Sequence, residues 1–326
     1  MVKSDTLSAG LREVEHGIDV DAPAEAVYAL IADVAAWPRL FPPTVHVEHV
    51  ERSADATEEV IQIWATANGE AKTWRSRREL NPAERTIRFR QVVSQPPIAA
   101  MGGTWIIEPR DGGCRVRLLH DYRAVEGDPR GLAWIDEAVD RNSAKELAAL
   151  KANAELAAGR ADLLLEFTDS VRIDGSAAHA YEFIDRADQW QRRLPHVARV
   201  RLEEDAPGLQ VLEMDTHAKD GSTHTTRSVR VCLPEARTIT YKQTVLPGLM
   251  ALHTGRWAFV EDGDGVIASS QHTVIVKEDA ITAILGQDAG VAQAREYLRA
   301  ALGANSRATL GHAKAYAEGL RADARR

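Results

Sequence analysis

Five kinds of polar residue recur at matching positions in the two halves of this 326-residue chain. The pairs Ser76/Ser228, Arg78/Arg230, Gln91/Gln243 and His120/His272 are each 152 positions apart, and Asn142/Asn305 are 163 apart. Histidine transfers protons near neutral pH, and arginine stays charged and can stabilise a negative oxygen. Serine and asparagine can orient a carbonyl group. The set therefore suits proton transfer coupled to stabilisation of an oxyanion.

The spacing of these residues reflects a duplication of the whole chain. The segment around Trp37 returns around Trp190, and the segment that begins at Pro82 returns at Pro234. A shift that persists through loops, strands and a helix cannot come from composition. It predicts two copies of one domain, at residues 12–158 and 163–320, each of ordinary single-domain size.

Composition limits the function classes that are open to the chain. A net charge of −8 argues against a nucleic-acid or anionic-membrane surface. Two cysteines, Cys114 and Cys232, are too few for a disulfide framework, and the histidines lack metal-ligand spacing. No apolar run is long enough for a signal peptide or a membrane span. We therefore expect a cytoplasmic protein with no metal, and without a nucleotide fingerprint we expect no cofactor.

Within each half, the pattern of residues predicts one order of elements. A strand is followed by two short helices, then by six short alternating segments with turns between them, such as Asn68-Gly69. A long Ala/Leu/Lys/Glu-rich helix closes the half, from Gly131 to about Ala157 in the first. This order predicts an α+β fold in which a curved antiparallel sheet wraps around the last helix and leaves an interior cavity.

Period-two alternation predicts which side chains enter each cavity. On one segment Trp74, Ser76 and Arg78 share the inner face, and Ser228 and Arg230 do so in the second half. We expect both arginines to lack a carboxylate partner. The remaining inward groups are expected to be Trp64, Gln91, Trp105, His120 and Asn142 in the first half, and Gln243, Trp257, His272 and Asn305 in the second. Thr216 and Thr226 would then replace Trp64 and Trp74 in a roomier second cavity.

Each of these residues also has a purely structural interpretation. The tryptophans, Trp105 and Trp257 included, can be core residues, and the histidines can be core residues with satisfied hydrogen bonds. Asn142 and Asn305 can bond a neighbouring strand. A structural role is hardest to accept for Arg78 and Arg230, because an isolated buried guanidinium is expensive.

The chain resembles a known family in several motifs. The turn AlaTrpProArgLeuPhePro at residues 36–42, the segment TrpArgSerArgArg at 74–78 and the helix AsnSerAlaLysGluLeu from Asn142 are similar to those of aromatase/cyclases from bacterial type II polyketide synthases. The duplication resembles the di-domain subgroup. This resemblance implies two tandem helix-grip domains of the START/Bet v1-like superfamily. One departure is that Thr44 and Val197 replace the tyrosine that the tetracenomycin-type enzyme carries after this turn.

The resemblance implies a function and a set of roles. The enzyme would fold an acyl-carrier-bound poly-β-ketone and promote aldol cyclisation and dehydration of the first ring, with the C7–C12 pattern. The implied catalytic residues are Ser76, Arg78, His120 and Asn142 with their second-half equivalents, and Trp64, Trp74, Gln91, Trp105, Gln243 and Trp257 would line the substrate. Partners would be the acyl carrier protein, with the ketosynthase/chain-length factor and the ketoreductase as further candidates.

Two alternatives remain open at this point. The chain can be a non-catalytic carrier of a hydrophobic small molecule, or a scaffold in which one repeat is catalytic and the other supports it. If both repeats act, the first holds the fuller aromatic and polar set. We then expect cyclisation in the first repeat and dehydration in the second.

Overall fold

The structure is a computed structural model that describes residues 10–67, 70–217, 221 and 223–323. Apart from Glu70 and Ala71, these residues form two compact units that divide between Arg160 and Ala161. Each unit consists of one seven-stranded antiparallel sheet and a long C-terminal helix. The predicted α+β fold with two tandem helix-grip repeats is therefore confirmed. The turn predicted at Asn68-Gly69 and the N-terminal residues 1–6 lie outside the described residues.

The first repeat contains seven strands and three helices. Its strands are β1 (Arg12–Val20), β2 (Thr44–Arg52), β3 (Glu58–Ala67), β4 (Glu70–Asn81), β5 (Thr86–Gln91), β6 (Ile98–Arg110) and β7 (Gly113–Ala124). Its helices are α1 (Ala24–Ala32), α2 (Trp37–Leu40) and the long α3 (Pro129–Gly159). The long helix begins at Pro129, with Asp128 capping its first backbone N–H groups.

The second repeat has the same order of strands and one additional helix. Its strands are β8 (Leu164–Ile173), β9 (Val197–Ala206), β10 (Leu209–His217), β11 (Thr223–Leu233), β12 (Thr238–Val245), β13 (Met250–Asp262) and β14 (Gly265–Val276). Its helices are α4 (Ala177–Asp185), α5 (Trp190–Arg193), α6 (Ile281–Leu285) and the long α7 (Val291–Asp323). The short helix α6 lies in the stretch that makes the second repeat longer than the first.

Both sheets have the same strand order. The first runs β1-β7-β6-β5-β4-β3-β2, and the second runs β8-β14-β13-β12-β11-β10-β9. Each first strand therefore pairs with the last strand of its repeat, and the remaining neighbours are consecutive hairpins. The long helix packs against that first strand, α3 on β1 and α7 on β8.

The core of each repeat lies between the sheet and its helices. In the first repeat it includes Val27 and Ile31 of α1, Val116 and Leu118 of β7, and Leu150 of α3. The second core is built from equivalent positions on α4, β14 and α7. We call the sheet face that carries this core the inner face.

No helix among the described residues combines the length and the apolar character needed to cross a membrane. Cys114 and Cys232 are both buried and free.

Candidate active sites on the inner faces of the two sheets

Cross-strand pairing places the predicted residues in a row across each sheet. In the second repeat Arg230 pairs with Tyr241, Tyr241 with Gly255, and Gly255 with His272. In the first repeat the equivalent row is Arg78, Phe89, Gly103 and His120. Ser76 lies opposite Gln91, and Ser228 lies opposite Gln243. The sheet thus brings together the serine, arginine, glutamine and histidine that the sequence predicted.

Glycine is needed at the third position of each row. A Cβ atom at Gly255 would lie 2.3 Å from the Tyr241 hydroxyl, and one at Gly103 would lie 2.6 Å from Cζ of Phe89. The aromatic ring of the neighbouring strand therefore crosses over the glycine towards the histidine. A larger residue at either position would displace that ring.

The second repeat contains a connected polar network around His272. Nε2 of His272 lies 2.6 Å from Oγ of Ser306 on α7 and 3.2 Å from Oγ of Ser270. Its Nδ1 lies 2.9 Å from Nε2 of His253 and 3.3 Å from the Tyr241 hydroxyl. Nδ1 of His253 in turn lies 3.0 Å from Oε1 of Gln243. Three strands, β12, β13 and β14, and the long helix α7 contribute to this network.

Burial keeps both imidazoles of the network neutral. It lowers the pKa of His272 to about 4, with Asp169 opposing the shift and Arg299 adding to it. Burial also lowers the pKa of His253 to about 3, and the neighbouring His272 contributes to that shift. A neutral imidazole offers one donor and one acceptor, so at pH 7 each ring can pass a hydrogen bond along the chain.

The hydrogen-bond chain has a direction. The Gln243 oxygen faces Nδ1 of His253, so that nitrogen carries the proton and Nε2 of His253 accepts. His272 must then donate from Nδ1 to His253, which leaves Nε2 of His272 as an acceptor for Ser306. The Ser306 hydroxyl therefore donates to His272.

The first repeat has a sparser arrangement around its histidine. Nδ1 of His120 lies 3.5 Å from Oγ of Ser143 on α3, and the ring packs edge-on against Phe89 at 5.5 Å. Burial lowers the pKa of His120 to about 4, with His16 adding to the shift and Asp121 opposing it. The position equivalent to His253 is Met101, whose sulfur lies 3.9 Å from the Gln91 amide nitrogen.

The expectation that Arg78 lacks a carboxylate partner is wrong. Its guanidinium donates to Glu59 on β3 at 2.7 Å, and both side chains are 1% exposed. It also donates to the carbonyl oxygens of Ile31 and Ala32 at the end of α1, and lies over the Trp37 ring at 5.0 Å. Glu59 lies near the start of β3 and is buried against Arg78. Arg78 therefore joins β3, β4 and α1.

Arg230 has a related position with a different partner set. It donates to the Ile184 carbonyl at 2.6 Å and lies over Trp190 at 5.1 Å. Among the described residues, its Nη1 has no hydrogen-bond partner and no carboxylate lies within ion-pair distance. Gln210 of β10 pairs with Arg230 in the sheet, so a neutral amide stands where the first repeat has Glu59. The expectation of an inward arginine without a carboxylate holds for Arg230.

The prediction that Asn142 and Asn305 point inward is wrong, because the inward residue is the next one along each helix. Both asparagines are exposed, whereas Ser143 and Ser306, which follow them, are buried against the histidines. A helix turns by about 100° per residue, so adjacent positions point in clearly different directions. The buried stripe of α3 runs through Val139, Ser143 and Leu147.

Of the two tryptophans on β3 and β4 that were predicted to line the first cavity, only Trp74 points inward. It packs against the cluster that contains Ile61 and Ile63. Trp64 lies on the opposite face of β3, where its ring packs 5.3 Å from His46. The cavity prediction for Trp64 is therefore wrong.

The second-repeat equivalents of these tryptophans differ from the prediction in one case. In the first sheet Trp64 pairs with His46. In the second sheet Arg199 takes the place of His46 and pairs with Asp215, so Asp215, not Thr216, is the equivalent of Trp64. The stretch from Arg199 to Asp215 is two residues shorter than the stretch from His46 to Trp64, so the shift at Trp64 is 151 and not 152. Thr226 remains the equivalent of Trp74.

Trp105 and Trp257 are core residues. Trp105 is buried and stacks on Phe41 at 6.1 Å, and Trp257 is buried in the second core. Ser76 is also buried, and its hydroxyl donates to the Arg90 carbonyl at 3.3 Å. Ser228 is buried in the equivalent position.

Sequence reasoning missed several groups that belong to these sites. Tyr241, His253, Ser270 and Ser306 all contact the network around His272. The signal for Ser306 was present in the repeated Asn-Ser pair, and alternation already placed Tyr241 inward. In the first repeat, burial raises the pKa of the Glu146 carboxyl on α3 to about 7. Across the described ranges, no cluster of three or more His, Cys, Asp or Glu could hold a metal ion.

Comparisons with known proteins find similarity along nearly the whole chain. The family model described as polyketide cyclase/dehydrase and lipid transport matches twice, at residues 12–155 and 165–318. A granaticin polyketide synthase bifunctional cyclase/dehydratase of Streptomyces virginiae is 50% identical over 305 residues, which cover 91% of this chain and 97% of the relative. The actinorhodin counterpart of Streptomyces coelicolor is 46% identical over 318 residues, with 94% and 98% covered.

A solved structure agrees with these sequence matches. The crystal structure of the di-domain ARO/CYC BexL from the BE-7585A biosynthetic pathway is 61% identical, with a TM-score of 0.89. The match covers 94% of this chain and 99% of that chain.

Proposed function

This chain belongs to the polyketide cyclase/dehydrase and lipid transport family, and from that membership we propose that it is an aromatase/cyclase of a type II polyketide synthase. It promotes aldol cyclisation and dehydration of the first ring of a poly-β-ketone, with the C7–C12 pattern. The substrate is presented by an acyl carrier protein, and the ketosynthase/chain-length factor and ketoreductase are further partners. The resemblance noted in the sequence to the di-domain subgroup is confirmed.

The polar network around His272 is the observation that carries this proposal. Aldol closure and dehydration both remove a proton from an α-carbon and deliver a proton to an oxygen, and positioned acid–base groups accelerate such steps by about 10²- to 10⁴-fold. A neutral imidazole with hydroxyl groups on both sides can perform that transfer without a free charge in the apolar interior. His272 has this arrangement, with Ser306 at Nε2 and Tyr241 at Nδ1, whereas His120 has the Ser143 hydroxyl at Nδ1.

Positioning of the chain is the second contribution. A poly-β-ketone is flexible and acidic at the carbons between its carbonyls, so bringing the correct pair of carbons together removes much of the barrier. Trp74 and the inward glutamines Gln91 and Gln243 are the groups we assign to this task. Arg230 supports a negatively charged oxygen through its unpartnered Nη1. We do not extend that role to Arg78, because Glu59 already neutralises it.

A carrier role is the second candidate, and it applies to the first repeat. Arg78 is fully engaged there by Glu59, Ile31 and Ala32, as expected of a structural residue in a binding protein. In this version the first repeat holds the chain and the second performs the chemistry.

Incubation with a reconstituted minimal polyketide synthase tests the proposed function. The enzyme is expected to redirect the shunt products made by the synthase alone towards a product with an aromatic first ring. A carrier without catalytic activity would bind the intermediates but leave the product profile unchanged. That second outcome would reject the proposed activity.

A further inference from the structure

We propose that the Tyr241 phenol is the substrate-contacting proton donor of the second repeat, and that His272 and His253 hold it in position for the dehydration step. This inference rests on the proposed function and assigns the dehydration to one repeat and one hydroxyl group. Four observations support it.

Tyr241 is the accessible member of an otherwise buried cluster. His253, Ser270, His272 and Ser306 are each at most 3% exposed, whereas the Tyr241 side chain is only half-buried. Tyr241 lies on the inner face, where it packs against the second core. Tyr241 is therefore the member of the cluster that combines an inner-face position with accessible surface.

The hydroxyl is fixed by the sheet itself. It occupies the space above Gly255, where any side chain would clash at 2.3 Å, and this brings it to 3.3 Å from Nδ1 of His272. The adjacent His253 ring packs edge-on against the Tyr241 ring at 5.6 Å. The phenol thus has one defined position between the two imidazoles and the interior.

The direction of the hydrogen-bond chain leaves the phenol proton unused. Nδ1 of His272 carries a proton that is donated to His253, so it has no lone pair to accept from Tyr241. Tyr241 can only accept at that contact, and its own O–H remains free to donate. Burial also raises the pKa of Tyr241, so the phenol stays protonated at neutral pH.

A free phenol donor fits the elimination of water from a ring β-hydroxy ketone. A proton leaves the α-carbon, which its two neighbouring groups make acidic, and passes to water. The electron pair of that C–H bond becomes the new carbon–carbon double bond. The C–O bond breaks, its electron pair stays with oxygen, and the Tyr241 proton converts that oxygen into water. A proton from solvent then restores the phenol, so the sum is loss of one water molecule.

The first repeat lacks this device although its backbone is the same. Phe89 replaces Tyr241 and Met101 replaces His253, so neither the hydroxyl nor the second imidazole is present. The chain therefore supplies its own matched substitutions, Tyr241→Phe and His253→Met, each of which is already accommodated at the equivalent position of the same fold.

The test compares these variants with the wild type in the minimal-synthase assay, with Tyr316→Phe as the control. Tyr316 is another tyrosine of the second repeat, whose hydroxyl donates to Glu182 at 3.3 Å away from the network. Tyr241→Phe is expected to slow formation of the aromatic ring about 10²-fold and to accumulate a ring-closed product heavier by one water. Tyr316→Phe is expected to behave as the wild type.

His253→Met serves to separate positioning from folding. It is expected to slow dehydration about tenfold when Tyr241 is present, and to have no further effect in the Tyr241→Phe background, because its role acts through that phenol. Additive losses would contradict the positioning role. Thermal unfolding of each variant checks that the fold is intact.

Two failures can be told apart. If the wild-type enzyme leaves the shunt profile unchanged, the proposed function itself fails. If the wild type aromatises the ring and a folded Tyr241→Phe variant does so within about twofold of that rate, only the assignment of Tyr241 is overturned.

Discussion

The two repeats share one fold but differ in what their inner faces carry. In the first repeat the strongest polar feature is a buried ion pair, Arg78 with Glu59, that ties a helix to the sheet. In the second, the strongest feature is an uncharged network that joins Gln243, His253 and His272 to Ser306. Equivalent residues of a duplicated motif can thus have different neighbours, which form a buried ion pair in one repeat and a neutral hydrogen-bond network in the other.

This contrast reverses one expectation. The sequence suggested that the first repeat holds the fuller polar set, whereas the structure gives the denser hydrogen-bonded set to the second repeat. The groups responsible are Tyr241, His253 and Ser270, where the first repeat has Phe89, Met101 and Leu118. Dehydration in the second repeat stays a prediction, and it now has a more specific basis.

The largest expected effect on stability follows from the ion pair. Arg78→Ala leaves the buried Glu59 carboxylate without its partner, which should cost about 3–5 kcal/mol of unfolding free energy. Arg230→Ala removes no carboxylate partner and should cost clearly less. Urea unfolding of both variants checks this, with Arg77→Ala on the exposed face of β4 as the control. Equal losses for Arg78→Ala and Arg230→Ala would remove the distinction between the two arginines.

Acid should affect the second repeat more than the first. Burial holds the pKa of His253 and His272 in the folded protein below the ordinary 6.5, so the unfolded chain takes up protons first as the pH falls. Stability from these groups is complete above pH 6.5 and decreases towards pH 4. Between pH 7 and 5 each of these histidines should lower the free energy of unfolding by about 2 kcal/mol. The second repeat has two of them, and the first repeat has one, His120.

Pulsed hydrogen exchange in urea, read separately for peptides of each repeat, measures this difference. His253→Met should remove the contribution of one of the two histidines to the acid sensitivity of the second repeat. The same acid sensitivity in both repeats would show that the second network is not held neutral by burial.

A smaller effect is expected at the tryptophan that distinguishes the two interiors. Trp74→Thr gives the first repeat the residue of the second. If the indole packs on bound substrate, as we propose, the change should raise KM about tenfold, or about 1.4 kcal/mol, with little change in kcat. Trp64→Asp makes the matched exchange on the outer face and should leave KM unchanged. If steady-state kinetics showed a larger increase in KM for Trp64→Asp than for Trp74→Thr, the substrate would not lie against Trp74.

The fold was predictable because its signals are local and repeated. Alternation located the strands, the long Ala/Leu-rich pattern located α3 and α7, and the constant shift gave the duplication. The inner face of β4 was predicted correctly through Trp74, Ser76 and Arg78.

The site was less predictable because its contacts join distant segments. The Arg78–Glu59 pair depends on the packing of β3 beside β4, and Ser306 reaches His272 across 34 residues. A shorter stretch between β9 and β10 made Asp215 the equivalent of Trp64. On the long helix the buried polar residue is Ser143, the neighbour of the predicted Asn142. A shift of one residue turns a strand side chain to the opposite face of the sheet, and the sequence pattern alone does not determine such shifts.

The central claim is that the two repeats divide the chemistry, with proton transfer for dehydration in the second. The most direct measurement compares His272→Ala with His120→Ala in the minimal-synthase assay and identifies products by mass. His272→Ala should lower aromatic product by up to about 10²-fold, the loss expected for Tyr241→Phe, and accumulate the ring-closed, hydrated compound, while His120→Ala reduces ring closure and leaves dehydration intact. Aromatic product formed by a folded His272→Ala variant at the wild-type rate would contradict the account.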